Sequence, residues 1–322
     1  MRKALICGIS GQDGAYLARL LLEKGYEVWG TSRDAQASTF GNLSRLGILD
    51  RVKTVSMAAN DFRSVLQAIS HSEPDEIYNL AGQSSVGLSF EQPAETLESI
   101  ATGTLNLLEV IRFRGLPVRF YNAGSSECFG DISGLAADEG AHFQPRSPYA
   151  VAKATAHWLV ANYRTAYGLF ACTGILFNHE SPLRPPRFVT QKIIQAAVSI
   201  SRGSKEKLIL GNMDVQRDWG WSPEYVDAMW RMLQLDKPED FVIATGESNS
   251  LEDFVATAFS EVGLDWRQYV VQDPNLFRPS EIRYNCGNAE KARRMLGWEA
   301  RMKMRDVVRE RYATSSSRDN TS

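Results

Sequence analysis

The chain has 322 residues, of which 43% are apolar and 23% charged, and its formal net charge is -2. That balance leaves no electrostatic footprint for nucleic acid or an anionic membrane surface, and no apolar run approaches the ~20 residues that span a bilayer. The length suits one large α/β domain with a smaller lobe.

Lys3–Cys7 is a short apolar run followed by glycines and reads as a buried strand. From Asp13 to Gly25 apolar residues fall at helical spacing (Leu17, Leu20, Leu21) and stop at a glycine. The alternation continues with strands at Glu27–Gly30, Val52–Met57, Glu76–Leu80, Val118–Asn122 and Phe170–Leu176. Helices are expected between them at Asp61–His71, Thr102–Phe113 and Pro148–Tyr167. Strands alternating with helices argue for a doubly wound, Rossmann-type parallel sheet covered on both faces. After residue 176 Pro182, Pro185 and Pro186 break the rhythm, and a smaller α/β substrate lobe is placed there. One segment is expected to return to the sheet: Ser222 reads as an N-cap with Pro223 in the first turn, a helix runs to about Leu235, and Phe241–Ala244 is a strand. The expected division is 1–176 plus about 219–247 for the dinucleotide domain, 177–218 plus about 248–312 for the substrate lobe, and a disordered polar tail at 313–322.

The cysteines, Cys7, Cys128, Cys172 and Cys286, are far apart and lack CxxC spacing. Neither a metal site nor a disulfide framework is expected, and a reduced, cytoplasmic chain is the simpler reading. The start, Met1-Arg2-Lys3-Ala4-Leu5, shows no signal-peptide pattern.

The first strand ends in Gly8-Ile9-Ser10-Gly11-Gln12-Asp13-Gly14. Glycines let the backbone turn tightly and approach a pyrophosphate, while the helix start supplies free N–H groups and the positive end of its dipole. Tight turns alone also need glycine. Here the loop joins the first strand to the first helix, the context a dinucleotide site requires. Gly8, Gly11, Gln12, Asp13 and Gly14 are therefore assigned to the cofactor. After the second strand stands Thr31-Ser32-Arg33-Asp34. Arg33 suits the 2′-phosphate of NADP and favours it over NAD; Asp34 beside it leaves open a solvated charge pair.

Ser147-Pro148-Tyr149-Ala150-Val151-Ala152-Lys153 sets Tyr149 and Lys153 on one helical face. An ammonium near the phenol is expected to lower its pKa and make Tyr149 a usable base. Upstream, Ser125-Ser126-Glu127 follows a strand, at the sheet end where such folds bind ligand. Ser125 is placed to hydrogen-bond the sugar oxygen that Tyr149 deprotonates, and Glu127 to act as a second acid/base. Turn hydroxyls and an exposed glutamate are the plainer alternative for any one of these residues alone.

Together these motifs resemble the extended short-chain dehydrogenase/reductase superfamily, and within it the GDP-mannose 4,6-dehydratases. The narrower resemblance rests on Tyr78–Ser84, Pro145–Tyr149, Asn178-His179-Glu180-Ser181-Pro182, Phe188-Val189-Thr190, Arg217-Asp218-Trp219-Gly220 and Arg278-Pro279-Ser280-Glu281. It runs from the first strand to about Trp298. It implies that Ser125 replaces a catalytic threonine, that Glu127 is the C5 base, and that Tyr149 and Lys153 are the oxidation pair. It assigns Asp61, Leu80, Ala81 and Gln83 to the cofactor. Asn178, Lys192, Arg217, Arg278 and Glu281 fall where the family grips the nucleotide diphosphate, and Ser84, Ser126, Glu180 and Val189 join the substrate side. Structural salt bridges of Arg217 and Arg278 with Asp218 and Glu281 are the alternative.

This chain departs from the family at four places. The paired arginines and serines after the second strand are here Arg33-Asp34-Ala35-Gln36, a Gly-Asp pair holding adenine is Met57-Ala58, an arginine is Gln191, and the threonine is Ser125. The resemblance implies an NADP-dependent dehydratase converting GDP-mannose to its 4-keto-6-deoxy derivative, working as a homodimer or homotetramer. A 4-reductase or epimerase of the same fold, a dehydratase for another GDP-hexose or GDP-heptose, and a non-catalytic NADP-binding regulator are the alternatives. Glu127 separates the dehydratase from the first of these.

Overall fold

The computed structural model describes residues 1–316 except Ser133, with side chains described as far as Tyr312. The chain builds β1 (Lys3–Cys7), α1 (Gln12–Glu23), β2 (Glu27–Ser32), α2 (Gly41–Arg45), β3 (Lys53–Ser56), α3 (Phe62–Ser72) and β4 (Glu76–Asn79). Two short helices, α4 (Val86–Glu91) and α5 (Pro93–Leu97), precede α6 (Gly103–Arg114), β5 (Arg119–Ala123), α7 (Pro148–Tyr167) and β6 (Ala171–Leu176).

The second part holds β7 (Asn178–Glu180), α8 (Val189–Ser201), β8 (Leu208–Leu210), β9 (Gln216–Trp221), α9 (Ser222–Met232) and β10 (Phe241–Ile243). It ends with β11 (Ser248–Ser250), α10 (Leu251–Ser260), β12 (Val270–Gln272), α11 (Glu290–Leu296) and α12 (Met304–Ser316).

Seven strands form one sheet in the order β10-β6-β5-β4-β1-β2-β3. Every pairing in it is parallel. Side chains alternate across each strand, so one strand feeds two cores. Ala4 and Ile6 of β1 pack with α1 and α9, while Leu5 and Cys7 pack with α3 and α6. The smaller lobe has its own core, built from Ile193 and Ile194 of α8, Trp219 of β9, Phe254 and Phe259 of α10, and Val308 of α12. Phe241–Ile243 pairs with β6, so this late segment lies in the large sheet.

Some expected elements differ. Ser222 opens α9 rather than capping it: Trp221 holds the cap position, and the Ser222 hydroxyl donates 2.7 Å to Asp13 Oδ1. The helix stops at Met232. The helix expected from Thr102 is entered through a π-helical turn at Glu98–Thr102 that continues α5. Of the expected tail, residues 313–316 lie in α12, whose buried Met304, Val307 and Val308 anchor it; 317–322 lie outside the described residues. Among the described residues no helix is long and apolar enough to cross a membrane.

Candidate active site

The sheet order reverses between β1 and β4, which leaves a crevice at their carboxyl ends. Gly8 follows β1 with φ +85°, and a Cβ there would lie 3.0 Å from the Ala81 backbone after β4. A Cβ on Gly14 would stand 2.5 Å from the Gly8 carbonyl, so close packing of α1 against the loop demands glycine. From this crevice a cleft of about 450 Å³ runs to the smaller lobe.

Asp13, Leu80, Ser84, Ser125, Glu127, Tyr149 and Lys153 line it from the sheet side. Asn178, Glu180, Val189, Lys192, Arg217, Arg278 and Glu281 line it from the other. Gly8, Gly11, Gln12, Gly14, Arg33, Asp61, Ala81, Gln83 and Ser126 are not among the described lining residues. Gln83 spends its amide on the Ser85 carbonyl (2.7 Å) and the Thr96 hydroxyl. Asp61 caps α3, accepting the Ser64 amide at 2.6 Å. Ser126 is buried, its carbonyl facing the Asn285 amide. Arg33 is exposed, its Nη1 3.7 Å from Glu95, while Asp34 accepts the amides of Gln36 and Ala37. Arg33 and Asp34 thus engage separate partners.

The catalytic candidates are held by local structure. Ser147 caps α7 through the Ala150 amide (3.1 Å), with Pro148 in its first turn, and sets Tyr149 at the mouth of the helix. Lys153, one turn on, is buried; its Nζ donates 2.8 Å to the Ala123 carbonyl and lies 5.8 Å from the Tyr149 ring centroid. Burial pushes the Lys153 ammonium down to about 8. Burial also holds the Tyr149 phenol above its ordinary value, only partly opposed by a hydrogen bond with Ser125. This reverses the sequence expectation: desolvating the phenolate outweighs the nearby cations in the protein alone. Ser125 Oγ accepts the Glu127 amide at 3.3 Å and caps a 3-10 turn (Ser126–Phe129), which fixes the backbone from which Glu127 lines the cleft.

In the smaller lobe, buried Arg217 donates to the Gln216 and Ile282 carbonyls and reaches Glu281 at 3.4 Å. Arg278 approaches the same Glu281 oxygen at 3.7 Å. Asp218, the other expected partner, instead accepts the amides of Thr245, Gly246 and Gly287; burial pushes it up to about 6. Lys192 Nζ donates to the Ile209 carbonyl at 2.7 Å. Glu180 is buried against the Thr190 hydroxyl, Arg184 and Arg311. Sequence reasoning missed Arg184 and Arg187, which also line the cleft. Arg184 packs 3.6 Å over the Phe188 ring and Arg187 donates to Ser84. The signal lay in 182–187, where the prolines were read only as a break.

The family described as GDP-mannose 4,6 dehydratase matches residues 5–311. GDP-mannose 4,6 dehydratase 1 of Arabidopsis thaliana is 46% identical over 319 residues, covering 95% of this chain and 87% of that protein. The chain belongs to the GDP-mannose 4,6-dehydratase family.

As a family member it is an enzyme of the dehydratase type, and its fold is shared by more distant solved structures. A dTDP-glucose 4,6-dehydratase from Streptomyces venezuelae, solved with NAD and TYD bound, superposes with a TM-score of 0.86 at 20% identity, covering 98% of each chain. RMD from Pseudomonas aeruginosa, complexed with NADPH, gives 0.81 at 22% identity, covering 99% of this chain and 100% of that one.

Proposed function

We propose that this protein is a cytoplasmic, NADP-dependent GDP-mannose 4,6-dehydratase. The observation that carries the reading is Glu127 on the Ser125 turn, facing the same cleft as Tyr149 and Lys153. An oxidation pair alone serves a reductase or epimerase; a second acid/base at this place serves elimination. Gly8–Gly14 would cradle the pyrophosphate, Arg33 would meet the 2′-phosphate, and Arg217, Arg278 and Lys192 would bind the diphosphate. The bound cofactor would take hydride from the sugar and return it within one turnover.

The chain's own groups would then move the protons. Tyr149, hydrogen-bonded to Ser125 and beside the Lys153 ammonium, receives the proton of the 4-hydroxyl as C4 becomes a ketone. The ketone acidifies C5–H; Glu127 removes that proton and passes it to the 6-hydroxyl, which leaves as water, and C5 takes up a solvent proton as the hydride returns to C6. Because the phenol sits above its ordinary value in the protein alone, its ionisation calls for nearby positive charge, which an oxidised nicotinamide ring would supply. Incubation with GDP-mannose, reading product mass, tests this: loss of one water with no net reduced cofactor is expected. Product at unchanged mass would replace the dehydratase by an epimerase.

A homodimer is part of the proposal. Of the apolar residues on α6 and α7, Leu108, Val110 and Val160 are core, and Leu105 and Leu159 pack against it. Trp158 stands 62% exposed, with Val151 and Tyr167 on α7 and Phe113 on α6. Light scattering that finds a monomer at micromolar concentration would remove the dimer.

A further inference from the structure

His179 has no part in the chemistry above, yet it is buried beside the cleft between two acceptors. Its Nδ1 lies 2.7 Å from the Phe177 carbonyl and its Nε2 2.8 Å from Asp13 Oδ2. A carbonyl only accepts, so Nδ1 carries a proton. The Asp13 carboxylate already receives the Gln12 amide (3.1 Å) and the Ser222 hydroxyl (2.7 Å) on its other oxygen, so Nε2 donates as well. With both nitrogens donating, the ring would be an imidazolium.

We propose that His179 is a positioning residue: as an imidazolium clamped between Phe177 and Asp13, it fixes Asp13 as a permanent anion on the wall of the dinucleotide cleft. The inference rests on the reading of that cleft as a nicotinamide dinucleotide site.

Three observations support it. Asp13 is in the first turn of α1, directly after the glycine loop, and lines the cleft. The pair belongs to a polar knot joining α1 to the lobe that carries Asn178: the Ser181 hydroxyl donates 2.8 Å to Gln12 Oε1, and Gln12 Nε2 donates 3.2 Å to the His179 carbonyl. The Tyr225 ring of α9 stacks on the imidazole at 4.5 Å between centroids and 27°, and Trp298 backs Tyr225 edge-on. The charged and titratable groups facing His179 are Asp13 from α1, Tyr225 from α9 and Arg184 after β7. Burial and Arg184 oppose its charge, but Asp13 and the Phe177 carbonyl prevail and hold it above the ordinary imidazole value. Asp13 in turn supports the ammonium of Lys153 against burial. A knot of this kind preorganises the site by locking rotamers that the ligand would otherwise have to order.

The test uses the full chain labelled with ¹⁵N at its four histidines, with ring spectra recorded at pH ~8, where free imidazole is neutral. One ring protonated at both nitrogens is expected, and its signal should vanish in His179→Phe. In Asp13→Asn the shape is kept but the anion is gone, and the same ring should become singly protonated. NADP binding is then titrated against pH. His179→Phe should weaken it about tenfold, the scale of a lost charged hydrogen bond, and more at low pH as Asp13 takes up a proton. His179→Gln, which keeps one donor toward Asp13, should recover most of the loss. A neutral His179 ring in the wild type, or His179→Phe binding NADP with the wild-type constant and pH profile, overturns the proposal. Wild-type protein that binds no dinucleotide would instead overturn the reading of the cleft, while the ring spectra still judge the pair.

Discussion

The Lys153 ammonium donates a 2.8 Å hydrogen bond to the Ala123 carbonyl at the end of β5, from a buried position one turn beyond Tyr149. Its folded pKa, about 8, lies below the ordinary lysine value because burial penalises the charge. The unfolded chain therefore binds more protons between pH ~8 and ~10.5, and this group makes stability rise with pH across that window. At neutral pH the buried ammonium costs about 3 kcal/mol net of the interactions the fold gives it. Lys153→Met is expected to unfold at a higher temperature than the wild type at pH 7 while losing most activity. The gap should close as pH rises through the window. A variant less stable at pH 7 would refute the argument.

Glu127 faces a narrower test. Glu127→Gln keeps the shape of the turn, since the Ser125 cap involves the 127 backbone amide and not the carboxylate. Dehydration should fall by ~10²–10⁴, the usual contribution of a general base. Exchange of the C5 hydrogen with deuterated solvent should be lost, and the bound cofactor should still oxidise C4 slowly. Water loss near the wild-type rate would assign the base elsewhere.

The inner strands were readable because β1, β5 and β6 are short runs buried on both faces, which leaves them little alternative, whereas β3 at the edge is largely exposed. The π-turn at Glu98–Thr102 and the two short helices before it were not, because they are stabilised by tertiary contact: Ile100 packs with Ala152 and Ala156 of α7. Of the candidate site, the residues on α7 and the Ser125 turn were legible through helical spacing and position after a strand. The direction of the Tyr149 shift was not, since desolvation depends on atoms distant in sequence. Ser222 shows the same limit. Its place before Pro223 reads as a cap, but a carboxylate 209 residues earlier claims its hydroxyl.

On the proposed reading, cofactor choice turns on Arg33, whose exposed guanidinium has Glu95 as a partner at 3.7 Å. Such exposed pairs contribute at most about 1 kcal/mol, so Glu95 does not compete seriously with a phosphate dianion. Arg33→Ala should weaken NADP roughly tenfold or more and leave NAD nearly unchanged, by fluorescence titration. Glu95→Gln should change NADP binding by less than about fivefold. Equal losses of NADP and NAD in Arg33→Ala, or NAD copurifying with the protein, would remove the NADP assignment.

We propose that the nucleotide is read where Arg217 and Arg278 converge on one oxygen of Glu281. Arg217 is already tied to two backbone carbonyls, so its orientation is set before ligand arrives; Arg278 is half-exposed and free to turn toward a diphosphate. Glu281 holds both cations and keeps acceptor capacity for a ribose hydroxyl or the donor edge of guanine. Calorimetric titration should therefore rank GDP above UDP, CDP and dTDP. Arg278→Ala should weaken all four about equally, by roughly tenfold, because the diphosphate is common to them. Glu281→Gln should narrow the preference for GDP, since an amide no longer offers two charged acceptor oxygens to the base. Arg217→Ala should weaken binding and also lower the melting temperature, because the Gln216 and Ile282 carbonyls lose a buried donor. Tighter binding of UDP or dTDP than of GDP would sink the guanine assignment. GDP binding without turnover of GDP-mannose would leave the base right and move the sugar to another GDP-hexose or GDP-heptose.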